Sequence, residues 1–340
     1  MKGLVIRGSR NIFTVRIEAE DALGAQGSPA GEDLECRIKG KVLRGVESYY
    51  NPLAPGDRVR VAPDPARPGA GLVIGLEERR NVFTRMNQKG LGANRSAGSQ
   101  ILAANLDLVF CVTSPLSPPF RPRFLDRALI QADAAGLEAL ILCNKYDLTG
   151  GILGKADPDV EERLEDFRRI GYRVLRISAK TGEGMGELRA LVEGRVSLFL
   201  GQSGVGKSSI MNALLPASLA RVGALNEKYD RGNHTTTMSR MIALPPVDGG
   251  GAERGAGKGA YLIDSPGIRR FVPDGVEPGD LILHMREFAP LAGTCTYGLS
   301  CTHRTEPGCK ILEAVHAGVI HEDRYDSFVR MREELMENKR

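Results

Sequence analysis

Gly201, Gln202, Ser203, Gly204, Val205, Gly206, Lys207 and Ser208, followed by Ser209, match G-x-x-x-x-G-K-[ST]. This spacing makes a phosphate cradle. Its glycines let backbone N–H groups curl around phosphoryl oxygens at the positive end of a helix. Lys207 can then reach the terminal phosphates, and the Ser208 hydroxyl can ligate Mg²⁺. The motif alone specifies only a nucleoside triphosphate. Asn144, Lys145, Tyr146 and Asp147 add a choice of base. A carboxylate at Asp147 accepts two hydrogen bonds, from the ring N–H and the exocyclic amine of guanine, whereas adenine leaves it unpaired. Taken singly, that tetrapeptide also fits a surface turn. Ser178, Ala179 and Lys180 match the run that packs beside the base in GTPases, and alone they are weaker still.

Asp264-Ser-Pro-Gly267 fits the second switch of such enzymes, with Asp264 holding Mg²⁺ through water and the Gly267 N–H sensing the γ-phosphate. Thr235, Thr236 and Thr237 offer a further hydroxyl to the magnesium, Thr236 being favoured. Ras-type enzymes orient the attacking water with a glutamine placed directly after this glycine. Here that position is Ile268, which neither donates nor accepts, so slow intrinsic hydrolysis is expected. His234, beside the threonines, is the candidate to position the water; the alternative is an ordinary exposed loop histidine.

Cys295, Cys301, His303 and Cys309 form a separate constellation, Cys-x5-Cys-x-His-x5-Cys. Three thiolates and one imidazole are the donor set of a closed tetrahedral structural Zn²⁺. Cys36, Cys111 and Cys143 stand singly, the last two in apolar runs that read as buried strands.

These residues need a scaffold that brings them to one place. From residue 101 onward, short apolar runs at 106–113, 137–143, 173–177, 196–200, 238–244 and 260–263 alternate with helical patterns at 124–135, 160–170, 185–193 and 207–215. That rhythm predicts a mostly parallel, doubly wound sheet with the nucleotide motifs at strand ends. Residues 1–80 carry alternating β-rich segments at 12–18, 34–40, 57–62 and 72–77, separated by Gly/Pro clusters, as in a small OB-like β-barrel. The expected fold is therefore multidomain. An OB-like, RNA-binding barrel spans 1–85, a basic linker 86–100 and an α/β P-loop GTPase domain 101–276. A zinc-binding domain with a helix at 325–339 completes it over 277–340.

Charge is uneven along the chain. Residues 1–100 hold 16 Lys and Arg against 11 Asp and Glu, and no acid lies between Glu78 and Asp107. Arg79, Arg80 and Arg85 fall in that gap and are candidates to contact RNA phosphates, the alternative being a solvated linker. No apolar run approaches the ~20 residues of a membrane span, and the start breaks after three apolar residues, unlike a signal peptide. A cytoplasmic monomer is expected.

The guanine motifs run in permuted order: Asn-Lys-x-Asp and Ser-Ala-Lys precede the phosphate loop. A sheet tolerates this because chain ends lie close together at the surface and can be rejoined there. Barrel, permuted GTPase domain and Cys3His site together resemble the bacterial ribosome small-subunit-dependent GTPase A family (RsgA/YjeQ) over nearly all 340 residues. Arg231-Gly-Asn-His-Thr-Thr-Thr237 matches its first switch, except that the family usually carries arginine where this chain has Asn233. The resemblance implies a GTPase of late small (30S) subunit maturation that hydrolyses GTP to GDP while bound to the subunit and its rRNA, then leaves. Two alternatives stay open from the residues themselves, a GTP-binding RNA scaffold and a tRNA- or DNA-directed GTPase.

Overall fold

The computed structural model describes residues 1–9, 11–18, 31–40, 42, 43, 45, 46, 48–86, 98–150, 157–216, 239–245, 259–268 and 271–337. Its first unit is a five-stranded barrel of β1 (Lys2–Ser9), β2 (Ile12–Ile17), β3 (Asp33–Ile38), β4 (Arg58–Pro63) and β5 (Ala70–Leu76). The order is β1-β2-β3-β5-β4, and β4 pairs back onto β1 to close the ring. Strands β3 and β5 are parallel; the other pairs are antiparallel. Alternation drives this closure. Phe13, Val15 and Ile17 of β2 and Val59 and Val61 of β4 point inward onto Val5, Leu34, Cys36 and Val73. Register shifts at Val5/Arg7 and Arg60/Val61 supply bends that help so small a ring to close. The sequence pattern anticipates β2 to β5 but not β1, which pairs with β2 and β4 and completes the ring.

The expected linker is bounded by strands. β6 (Val82–Met86) and β7 (Ser99–Ala104) form an antiparallel pair that brackets residues outside the description. The GTPase domain follows with β8 (Leu108–Thr113), α1 (Pro122–Ala134), β9 (Glu138–Cys143), α2 (Pro158–Arg169), β10 (Arg173–Arg176) and α3 (Met185–Val192). It continues through β11 (Val196–Gly201), α4 (Lys207–Leu214), β12 (Arg240–Leu244) and β13 (Ala260–Asp264). The sheet order is β10-β9-β8-β11-β13-β12, parallel apart from β12. Leu125 and Leu129 of α1 and Leu164 and Phe167 of α2 cover one face. Leu188 of α3 and Ile210 and Met211 of α4 cover the other. Burial on both faces explains why β8 is apolar up to its last residue, Thr113. At the edge, Arg240 of β12 pairs with Arg7 of β1, so the two sheets are continuous.

The C-terminal unit has 3-10 turns at Leu281–His284, Ala289–Leu291 and Gly298–Ser300, then α5 (Lys310–His316) and α6 (Glu322–Glu337). Leu281, Met285, Phe288, Ile311, Phe328 and Met331 form its core together with Ile130 of α1. Among the described residues no helix is long and apolar enough to cross a membrane.

Candidate functional site

Strand β11 ends at Gly201 and α4 begins at Lys207, so the phosphate loop spans the C-terminal end of the sheet. Gly204 and Gly206 adopt φ of 84° and 96°, a region that favours glycine. A Cβ on Gly206 would lie 2.3 Å from Asn144 Nδ2, so no side chain fits there. Lys207 is buried, and its ammonium donates to the carbonyls of Gly201 at 2.9 Å and Gln202 at 3.2 Å. Burial lowers its pKa, and Asp264 acts against that shift. The Ser208 hydroxyl donates to Asp264 Oδ2 at 3.4 Å, which places the two expected magnesium-side oxygens together. Ser209 is exposed on α4.

The base-reading residues meet this loop through Asn144. Its Nδ2 donates to Val205 O at 2.9 Å, and its Oδ1 accepts from Ala179 N–H at 3.1 Å. One amide therefore fastens the phosphate loop, the 144–147 segment and the 178–180 segment to one another. Lys145, at φ 64°, bridges Gly204 O at 2.6 Å and Ser117 O at 2.7 Å. Asp147 Oδ1 accepts the Ser178 hydroxyl at 2.8 Å, and Lys180 Nζ lies 3.9 Å from Oδ2. Tyr146 turns the other way. Its ring is fully buried beneath Arg176, 5.3 Å away, and its hydroxyl bonds Glu161. Its part in the motif is to support the loop from within. Nothing in the sequence pointed to Ser117, which acts through a backbone carbonyl.

Gly267 packs directly on the phosphate loop, since a Cβ there would come within 3.0 Å of Ser203 Cα. The Ile268 N–H donates to Gly201 O at 3.3 Å, and the Ile268 side chain, 1 % exposed, lies in the core with Phe271. It can therefore neither orient nor touch a water above the loop. His234, Thr235, Thr236 and Thr237 lie outside the described residues.

The four metal-type donors converge as the spacing predicts. Cys295 Sγ lies 3.6 Å from His303 Nδ1 and 3.9 Å from Cys309 Sγ, and His303 Nδ1 lies 3.4 Å from Cys309 Sγ. With Zn–S near 2.3 Å and Zn–N near 2.0–2.1 Å, a tetrahedron has edges of about 3.6–3.8 Å. The cluster can hold a zinc ion. Burial pushes the Cys301 thiol up to about 12, so a cation is what would keep these sulfurs as thiolates. Burial also lowers the His303 pKa, which favours the neutral, ligating imidazole. The Lys310 N–H donates to Cys295 Sγ at 3.3 Å, at the start of α5. Glu306, which the sequence reading passed over, accepts from Thr302, Arg304 and Thr305 N–H groups and shapes the loop carrying Cys301 and His303. The Thr302 hydroxyl, with the Arg304 and Thr302 N–H groups, holds its carboxyl well below the usual range.

A family model described as RsgA GTPase matches residues 76–272, more than half of the chain. The chain belongs to the RsgA GTPase family. It is 36% identical over 344 residues to the small ribosomal subunit biogenesis GTPase RsgA of Bacteroides fragilis, covering 100% of this chain and 98% of that protein. The RsgA 1 protein of Vibrio vulnificus is 38% identical over 313 residues, with 91% of this chain and 81% of that one covered. The crystal structure of YjeQ from Thermotoga maritima superposes with a TM-score of 0.65 at 28% identity, covering 98% of both chains. YloQ, a circularly permuted GTPase, shares the fold with a TM-score of 0.61. The permuted order of the guanine motifs is thus that of an RsgA-family enzyme.

The three arginines expected to contact RNA are engaged within the protein. Arg79 grips the fully buried Asp57 through two bonds of 2.7 and 2.8 Å and donates to Pro52 O at 2.8 Å. Arg80 donates to the carbonyls of Asn105 and Leu106 and to Asp107 Oδ1 at 3.0, 2.7 and 2.7 Å. Arg85 is partly buried against Gln100 Oε1, at 3.0 and 3.1 Å, and burial lowers its pKa. Their local role is to fasten the barrel, the β6–β7 pair and the GTPase domain together. The acid-free run marks a junction whose acidic partners, Asp57 and Asp107, lie outside the run.

Proposed function

We propose that this protein is a GTPase of late small (30S) ribosomal subunit maturation, which hydrolyses GTP to GDP and phosphate on the subunit and then leaves it. The observation that carries the nucleotide part is Asn144, whose single amide holds phosphate loop and base loop in one rigid unit. The ribosomal part rests on the family and on what the relatives are named for.

In this reading Asp147, braced by the Ser178 hydroxyl, accepts the guanine ring N–H and amine. Lys207 exchanges its two backbone carbonyls for the β- and γ-phosphates. Ser208 and Thr236, with Asp264 through water, would hold Mg²⁺, which neutralises charge on the phosphates. The Gly267 N–H, pressed against Ser203, meets the γ-phosphate. Because Ile268 is buried, water has to be positioned by another group, and His234 takes that role on the subunit. One zinc per chain, on Cys295, Cys301, His303 and Cys309, is structural, because four protein donors close its coordination sphere.

GTP turnover measured alone and with purified small subunits, large subunits or free RNA tests the reading. Small subunits alone should stimulate, and His234→Ala should keep GTP affinity and subunit binding but lose about 10²–10⁴-fold of the stimulated rate. Equal rates in all four mixtures would overturn the ribosomal role. Full stimulation of His234→Ala would remove the histidine from the mechanism.

A further inference from the structure

A cavity of about 490 Å³ opens beside the phosphate loop, and of the guanine-nucleotide residues only Gln202 lines it. Its volume falls in the range of small-ligand sites, about 300–1,000 Å³. Three recognition elements of different kinds meet there. First, Gln202 is 9 % exposed, and its side-chain amide has no hydrogen-bond partner among the described residues. That leaves the amide free to meet a group inside the cavity that both donates and accepts. Second, the cavity contains the N-terminus of the 13-residue helix α1, which has no side-chain cap and no acidic residue in its first turn. Arg121 stands at that cap position, exposed, with no ion pair or side-chain hydrogen bond among the described residues. Third, the half-buried Phe120 gives the wall a flat apolar surface, with the edges of the core residues Phe124 and Phe271 beside it.

Charge favours an anion. Three arginines and two acids line the space. Arg127 is taken by Glu334, Asp323 faces Arg163 at 3.7 Å and Arg123 pairs with Asp326 at 3.1 Å. Arg121 is the cation left over. We propose that this cavity is a second ligand site, separate from the GTP site, and that it takes one nucleotide unit. The phosphate sits on Arg121 and the first-turn amides of α1, as anions do at helix N-termini. The base lies against the Phe120 face and turns an edge to the Gln202 amide, which can donate and accept at once. A peptide carboxylate would answer Arg121 but leave the amide and the aromatic wall without a planar partner. The unit can come from a free mononucleotide or from an unpaired nucleotide in an RNA strand.

The test uses the full chain saturated with GDP, so that the guanine site is filled. AMP, the trinucleotide ApApA and inorganic phosphate are titrated separately by equilibrium dialysis. AMP or ApApA should bind with one-to-one stoichiometry, at least tenfold more tightly than phosphate. Arg121→Glu and Phe120→Ala, both outside the GTP machinery, should each weaken that binding tenfold or more with GDP affinity unchanged. Tighter binding of AMP assigns the site to a free nucleotide, and tighter binding of ApApA to a strand. Failure of both nucleotide probes to bind, phosphate binding as tight as AMP, or unchanged binding in both variants overturns the proposal.

Discussion

The barrel and the C-terminal unit are joined to the GTPase domain by different chemistry. At the barrel side the bonds are largely neutral and run through the main chain. Ala104 N–H donates to Pro55 O at 3.0 Å, Tyr50 N–H to Ser99 O at 2.7 Å, and Asn51 exchanges two bonds of 2.9 Å with the backbone of Ile101. Gly56, at φ 94°, lets the chains approach so closely that a Cβ would meet Ala104 O at 2.1 Å. At the C-terminal side the joint is ionic and buried. Arg324, 1 % exposed, bonds Asp126 of α1 at 2.8 Å and Glu287 at 2.6 and 2.9 Å. Arg163 of α2 adds Asp323 of α6 at 3.7 Å, and Arg286 stacks 3.9 Å over Tyr172 while bonding Asp133. Backbone seams tolerate side-chain change, whereas a buried charge stripped of its partner is heavily penalised. Apart from Gly56, Asn51 and the Arg79–Asp57 pair, the barrel joint should therefore vary in sequence at little cost, whereas the C-terminal joint should give way abruptly.

Removing the metal should separate the two regions most. Structural zinc contributes about 10–16 kcal/mol in small peptide domains. Cys301→Ser should lose the ion and the hydrogen-exchange protection of residues 285–315 while the barrel keeps its own. Full zinc content in that variant would show the ligands to be misassigned. Next comes Asp126→Ala, which leaves Arg324 and Arg163 without a shared carboxylate and should cost about 3–5 kcal/mol in denaturant unfolding. A loss no larger than that of a surface residue would erase the contrast between the joints. On the barrel side Arg79→Ala strips Asp57 of a two-bond partner and should cost about 1.5–3 kcal/mol. The salt dependence of small-subunit binding should stay as in the parent, and a flatter slope would return Arg79 to phosphate contact. Arg80→Ala, at a side chain 54% exposed, should cost less than about 1 kcal/mol.

The GTPase core was legible because its strands are buried on both faces and its helices are long enough to show their period. β8, β9 and β11 read directly as apolar runs, the last two each leading into a nucleotide motif. Convergence of the metal donors followed from spacing alone. Strand β1 was missed, for Lys2–Ser9 carries two glycines and two cations and does not alternate cleanly. The β6–β7 pair was missed because the basic residues between its strands dominated the reading, and no local signal ties Val82 to Ala104. Helix α5 has seven residues, under two turns of pattern, and starts at a metal ligand rather than at a conventional cap. The fate of the arginines was invisible for a related reason, since Asp57 lies 22 residues before Arg79.

The residues just after the second switch carry one more consequence. Phe271 packs against Phe83 of β6 at 5.9 Å and Phe124 of α1 at 6.4 Å, and its carbonyl accepts from Arg127. Val272 O accepts from Met86 N–H, Asp274 accepts the Ser99 hydroxyl, and its own N–H donates to Gln131. Arg127 is also the partner of Glu334 on α6. The downstream end of the switch is thus pinned to the strand pair behind the barrel and, through Arg127, to the last helix. A displacement at Gly267 has only a few residues in which to dissipate before it reaches that pin. Whatever reaches Phe271 therefore bears on the barrel side and on the last helix together, so the two flanking domains share one point of contact with the switch.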